Sequence, residues 1–225
     1  MKILVICQYY YPEPFRITDI CEELVKRGNE VTVVTGLPNY PMGEIYEGYS
    51  KRERRRENLN GVNVYRCFTI GRKQGVFYRF LNYYSYAFSS THFVKCLKEE
   101  FDIVFVNQLS PVMMANAAIA YKKKNKKKIV LYCLDLWPES IVSAGVKQSS
   151  FIYKIFYTIS QKIYSQVDKI LITSHSFAEY FDKKFSIKNT EYLPQYAESI
   201  FDPDACFKET NSSSSSVSIT SLAFF

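Results

Sequence analysis

Asp135-Leu136-Trp137-Pro138-Glu139-Ser140 is the segment of this sequence best equipped for chemistry: it sets the only tryptophan, on an X-Pro bond, between two carboxylates. A carboxylate beside an aromatic plane can accept a hydrogen bond from a sugar hydroxyl and help remove its proton. The same residues also describe a helix start, with Pro138 in the first turn, Asp135 as cap and Trp137 packed on a sheet. Both readings stay open. A second cluster is Tyr9-Tyr10-Tyr11-Pro12-Glu13-Pro14-Phe15-Arg16. Its prolines enforce an extended approach. Arg16 could grip a phosphate or carboxylate in a fork, or pair with Glu13 or Asp135. A third is Thr35-Gly36-Leu37-Pro38-Asn39-Tyr40-Pro41. It reads as a turn, or as a polyol-binding surface of side-chain amide and aromatic ring. His92 reads as a packing residue, and His175 as a helix-start residue able to cap or to face an anion.

The elements that would hold these clusters are legible from periodicity. Short apolar runs alternate with helical patterns, as in βαβ units. Strands are expected at 2–7, 30–34, 62–68, 102–106, 129–134 and 169–173, with a last short one at 191–193. Helices are expected at 17–26, 76–99, 111–124, 149–166 and 174–184. Residues 35–61 read as one long irregular stretch. Strands that are apolar on both faces predict an α/β fold, a Rossmann-like doubly wound parallel sheet. In such sheets ligands sit outside the C-terminal strand ends. Residues 8–16, 36–40, 107–111, 135–140 and 173–176 would then share one rim, which adds Asn107 to the candidates.

Composition narrows the function. The 225 residues carry a net charge of +7, concentrated at Lys51–Arg56 and Lys122–Lys128. Such runs read as solvated helix ends and loops, or as contacts for anionic lipid headgroups or a phosphate-bearing substrate. No motif supports nucleic-acid binding. No glycine fingerprint follows the first strand and there is no Walker A loop, which weighs against a dehydrogenase and an NTPase. The six cysteines form no CxxC pair and suggest a reducing compartment, with no metal site indicated. With no signal-peptide or membrane-span pattern, a cytoplasmic protein is expected. The aromatic and basic helices around Phe77–Tyr84 and Phe151–Tyr157 suit either an ordinary core or the inner membrane surface.

Several of these segments, taken in order, resemble glycosyltransferase family 4. They are Tyr10-Tyr11-Pro12-Glu13 with Arg16; Glu23-Leu24-Val25-Lys26-Arg27-Gly28-Asn29-Glu30-Val31-Thr32-Val33; Thr35–Pro41; Gly43 with Ile45-Tyr46-Glu47-Gly48-Tyr49; and Asp135–Ser140. The nearest likeness is to a WbuB-like group from bacterial surface-polysaccharide clusters. The resemblance implies a GT-B fold of two Rossmann-like domains, of which residues 1–203 would be the N-terminal, acceptor-binding one. It implies metal-free, retaining transfer from a nucleotide-sugar co-substrate to a lipid-linked or oligosaccharide acceptor in capsule, O-antigen or exopolysaccharide synthesis. Asp135 and Glu139 are then the expected catalytic residues. Tyr11, Glu13, Arg16, Asn39, Tyr40, Asn107 and Trp137 are the expected acceptor-binding ones. The only E-x7-E pair, Glu22 and Glu30, spans a helix end and a strand, so no donor site is expected. Residues 204–225 read as a serine-rich linker and truncated tail. The chain is therefore expected to be inactive alone and to be completed by a separate donor-binding chain; a non-catalytic sugar-, lipid- or partner-binding module is the alternative.

Overall fold

The computed structural model describes residues 1–50, 53–143 and 145–195. The compact unit formed by Met1–Leu193 is built on one eight-stranded sheet. The serine-rich stretch 204–225 lies outside the described residues.

The chain runs β1 (Lys2–Ile6), α1 (Ile17–Lys26), β2 (Glu30–Thr35), β3 (Arg56–Leu59), β4 (Val62–Arg66), α2 (Val76–Cys96), β5 (Ile103–Gln108), α3 (Asn116–Asn125), β6 (Lys128–Cys133), α4 (Glu139–Ser143), α5 (Phe151–Tyr164), β7 (Lys169–Ile172), α6 (His175–Phe185) and β8 (Thr190–Tyr192). The sheet order is β3-β4-β2-β1-β5-β6-β7-β8. Every pairing is parallel except β3 with β4. The α/β fold expected from the alternating runs is present.

Burial explains the topology. Alternate residues of β1 serve different cores: Ile3 and Val5 pack with Ile17 and Cys21 of α1, while Leu4 and Ile6 join the core under α2, α3, α5 and α6. A strand buried on both faces is stable only between two helical layers. Helix α1 buries Ile17 and Cys21, one turn apart, and ends where the Gly28 N–H donates to the Val25 carbonyl at 2.8 Å. Gly28 takes φ +81°, a left-handed value natural to glycine at a helix end. Ser150 caps α5 by accepting from the Tyr153 N–H at 3.2 Å.

The long irregular stretch is corrected by β3. Residues 56–59 pair antiparallel with β4, and Leu59 faces Val62 across a two-residue turn. Asn60 and Gly61 both have positive φ, 50° and 86°. That is the Asn-Gly hairpin turn whose twist matches the strands. The dipeptide was readable, but the charged residues around it mask an edge strand. The helix expected at 111–124 opens instead as a 3₁₀ turn at Val112–Ala115 and becomes α-helical at Asn116.

The basic run at 122–128 is partly structural. Lys122 binds Asp168 at 2.7 Å and the Gln166 carbonyl at 2.9 Å, and Lys124 donates to the carbonyls of Lys95 and Leu97. Cys7, Cys21, Cys67 and Cys133 are buried and unpaired, and burial pushes the Cys7 thiol up to about 12. Such a group packs as a small apolar residue. His92 is exposed, contrary to the packing role expected of it. No helix of the described residues is long and apolar enough to cross a membrane.

Candidate functional site

The sheet order reverses between β2-β1 and β5-β6, so the loops after β1 and β5 part at this point. Such a parting leaves a crevice at the C-terminal strand ends. Here it holds a cavity of about 440 Å³. Three groups of side chains line it. Tyr9, Phe15 and Tyr40 come from the loops after β1 and β2. Ser110, Asp135, Trp137 and Ser140 follow β5 and β6. Arg72, Arg79, Phe80 and Tyr83 come from α2 and its approach, with Ile152 and Phe156 of α5 opposite.

Aromatic contacts fix the walls. Tyr9 and Phe15 stack with centroids 4.9 Å apart, and Tyr40 leans on Phe15 at 5.3 Å. Across the cavity Phe156 stacks on Phe80 at 6.0 Å and meets Trp137 edge-on at 5.5 Å. Rigid aromatic faces with a few polar groups are the usual lining of a small-molecule site.

Asp135 is the carboxylate of this cavity. Ser140 donates its hydroxyl to Oδ1 at 2.5 Å, and Ser110 donates to Oδ2. The Trp137 indole N–H donates to Ser110 Oγ at 3.0 Å. Trp137 thus occupies a lone pair of Ser110 and turns its proton toward Asp135. Each carboxylate oxygen carries one hydroxyl donor and keeps acceptor capacity for a ligand. The backbone is fixed too: buried Gln108 donates to the Asp135 carbonyl at 2.8 Å, stitching the ends of β5 and β6.

The two carboxylates predicted as a catalytic pair separate. Glu139 does not line the cavity. Its Oε1 accepts from Tyr153 at 2.8 Å and Tyr180 at 3.1 Å, its Oε2 from Gln148 at 2.9 Å, and Lys184 lies 3.5 Å away. Burial alone would raise its pKa, but these hydroxyls, the amide and the ammonium hold it below the ordinary carboxylate value. Glu139 pins α4 to α5 and α6.

Glu13 is also placed inside the protein. Its buried carboxylate accepts from the backbone N–H groups of Asn39 and Tyr40, both at 2.8 Å, and of Tyr10 at 3.4 Å. Burial pushes its pKa up to about 7, against the pull of those donors and the nearby Arg66 guanidinium. Asn39 is buried as well: its amide donates to the Leu37 carbonyl at 2.8 Å, and its Oδ1 accepts from Arg72 N at 3.2 Å and Asn82 Nδ2 at 3.3 Å. Glu13 and Asn39 therefore tie the loops after β1 and β2 together and aim Tyr9 and Tyr40.

Of the predicted binding residues, Tyr40 and Trp137 line the cavity with Asp135; Tyr11, Arg16 and Asn107 do not. Tyr11 is exposed, with its carbonyl accepting from Arg66 at 2.6 Å. Arg16 stands at the N-cap of α1, and Asn107 is buried within β5. His175 begins α6 and stacks on Tyr192 at 4.0 Å. Sequence reasoning missed Arg72, Arg79, Phe15 and the two serines. The aromatic, basic helices that carry Arg79 and Phe156 suit a core or membrane face by pattern alone, and the fold makes them cavity walls. Among the described residues no group of three His, Cys, Asp or Glu side chains is placed to hold a metal ion.

A parallel sheet with a cavity at its switch point, walled by aromatics around one hydrogen-bonded carboxylate, defines a Rossmann-like binding domain. The family model described as Glycosyltransferase Family 4 matches residues 16–194, and the chain belongs to that family. Among solved structures, the fold is similar to that of Anabaena HepE, crystallised in complex with UDP and glucose. The TM-score is 0.52 at 11% sequence identity, over 94% of this chain and 49% of HepE, so the chain spans about half the length of that structure. No curated protein sequence matches the chain.

Proposed function

We propose that this chain is the acceptor-binding half of a retaining glycosyltransferase, one that moves a sugar from a nucleotide-sugar to a saccharide acceptor. The observation that carries the reading is Asp135, held by two serine hydroxyls within an aromatic cavity at the strand ends. An acceptor sugar would lie against Trp137 and Tyr40, with one hydroxyl donating to Asp135. The carboxylate would orient that hydroxyl and draw on its proton as the new bond forms. Retention would leave much of the deprotonation to the departing phosphate, so a fixed hydrogen-bond acceptor suffices.

Family membership supports the transfer chemistry. The half-length match to HepE is consistent with a second half of similar size, and in this reading that half would hold the nucleotide. Surface-polysaccharide synthesis, with a lipid-linked acceptor at the membrane's inner face, is the setting the ordered motifs suggest. The exposed Phe77, Phe151 and Ile152 near the cavity are consistent with a lipid chain there.

Trp137 is the only tryptophan of the chain, so its fluorescence reports on this cavity alone. Titration with oligosaccharide glycosides is expected to change its emission, and Asp135→Asn to weaken that binding about tenfold, the scale of one charge-assisted hydrogen bond. A chain that bound UDP but no saccharide would overturn the acceptor assignment. Sugar transfer from a nucleotide-sugar by this chain alone would overturn the need for a second half.

A further inference from the structure

The far end of α2 carries a pair of side chains that the cavity does not use. His92 and Cys96 lie one turn apart on one face of the helix, both exposed, with Cys96 Sγ 4.0 Å from His92 Nε2. Cys7, Cys21, Cys67 and Cys133 are buried, so among the described residues Cys96 is the thiol open to a ligand. A tetrahedral zinc ion holds sulfur at about 2.3 Å and nitrogen at about 2.0–2.1 Å, which sets two such ligands about 3.6 Å apart. A slight rotation of either exposed side chain closes the difference. The scaffold under the pair is fixed. The Tyr86 hydroxyl meets the carbonyl oxygens of Cys7 and Val34 at 2.8 and 2.9 Å, and Val94 is buried. The Lys124 ammonium donates to the carbonyls of Lys95 and Leu97, on either side of Cys96, at 3.0 and 2.7 Å. Ligands held on a rigid helix lose little freedom on binding. Thiolate with imidazole selects zinc and its softer neighbours over magnesium or calcium.

We propose that His92 and Cys96 are half of a tetrahedral zinc site, closed by the same two residues of a second copy of this chain. Two ligands leave a four-coordinate ion half open, whereas structural zinc sites are closed. Among the described residues no further His, Cys, Asp or Glu joins the pair to make a group of three. An isologous contact supplies each residue twice, so a two-fold axis beside residues 92–96 turns two ligands into four. The charges also close: two thiolates neutralise the dication and the imidazoles bind as neutral rings. Each Cys96 thiol gives its proton to solvent as its sulfur–zinc bond forms. Phe88 supports the same contact. It precedes His92 by one turn on the same face and is 74% exposed. Packing α2 against a second α2 carries that ring toward apolar surface instead of water.

The test titrates zinc into the full, metal-free chain under a phosphine reductant, which prevents disulfides, and follows mass by sedimentation velocity. Zinc is expected to double the sedimenting mass at one ion per two chains, and a chelator to reverse it. Cobalt(II) in its place should show the thiolate-to-cobalt charge-transfer band and the visible bands of a tetrahedral site. Cys96→Ser and His92→Ala sit at exposed positions, so their metal-free melting temperatures should match that of the wild type. Each should stay monomeric and bind zinc at least about tenfold more weakly, since losing an outer-shell partner alone costs that much. Cys96→His, which keeps a zinc ligand, should restore zinc-dependent pairing without the charge-transfer band. One zinc per chain with no change in mass would overturn the shared site. So would pairing that needs no zinc, or zinc-dependent pairing that survives with both Cys96→Ser and His92→Ala in place.

Discussion

Two carboxylates of this chain, similar on paper, are tuned in opposite directions by what surrounds them. Glu13 is buried under three backbone N–H donors, yet burial dominates and lifts its pKa from 4.5 to about 7. Between those values the folded chain holds a proton that the unfolded chain has released. Its contribution to stability is therefore full below about pH 4.5 and is lost as pH rises toward 7. Relative to Glu13→Gln, which does not titrate, the wild type should lose up to about 3 kcal/mol across that window, read from urea denaturation at each pH. A pH-independent difference would show that Glu13 keeps an ordinary pKa. Glu139 runs the other way, since its folded pKa is lowered. Its contribution is present above about pH 4.5 and fades as pH falls through the lower folded value, so Glu139→Gln should be least distinguishable from wild type in acid. The Asp-x-Trp-Pro-Glu pattern located the cavity's carboxylate and its tryptophan. It could not say which carboxylate faces inward, because that depends on Tyr153, Gln148 and Tyr180, up to 41 residues away. Arg72 and Arg79 were illegible for a similar reason: nothing local marks an arginine as facing a cavity.

At the scale of elements, two glycines do different work. Gly61 is required by conformation: its φ is +86°, and an added Cβ would also meet Val25 Cγ1 at 2.8 Å. Gly71 is required by space: a Cβ there would lie 2.5 Å from the Gly43 carbonyl oxygen, backbone against backbone. Gly61→Ala should destabilise the β3–β4 hairpin by about 1–2 kcal/mol, with little effect on ligand binding at the opposite strand ends. Gly71→Ala should cost about 1–3 kcal/mol as an overpacked contact and also weaken binding at the cavity, since Arg72 is the next residue. Denaturation and Trp137 titration of both variants separate the two effects. Equal loss of ligand affinity in both would mean that the cavity responds to general destabilisation and not to the position of Arg72. Strands and helices were legible because their apolar periods are strong. The exception, β3, carries the charges that protect a sheet edge from pairing with other chains, and those charges erase the strand signal.

For the whole molecule, the question is where the folded unit stops. The sequence places the boundary near residue 203, at the change to polar, serine-rich composition; the compact unit Met1–Leu193 ends one residue after β8. The edge strand is short but well tied. It pairs with β7 in parallel register, Lys169 reaches Glu191 at 2.8 Å, Leu193 N donates to the Ile172 carbonyl at 2.8 Å, and Tyr192 covers His175. Beneath it Ile170 and Ile172 of β7 are buried against Phe181 and Phe185 of α6. A chain cut after residue 203 should therefore melt at the temperature of the full chain and bind saccharide equally. A chain cut after residue 188 loses β8 and the Asn189 contacts to Ile170 and Asp168. It should melt about 10 °C lower, corresponding to about 3 kcal/mol for a domain of this size. The cavity lies around β1, β5 and β6, away from that edge, so affinity measured below the melting range should change little. A lower melting temperature for the 203 cut would place part of the folded unit beyond that boundary. An undiminished one for the 188 cut would remove β8 from the structural core.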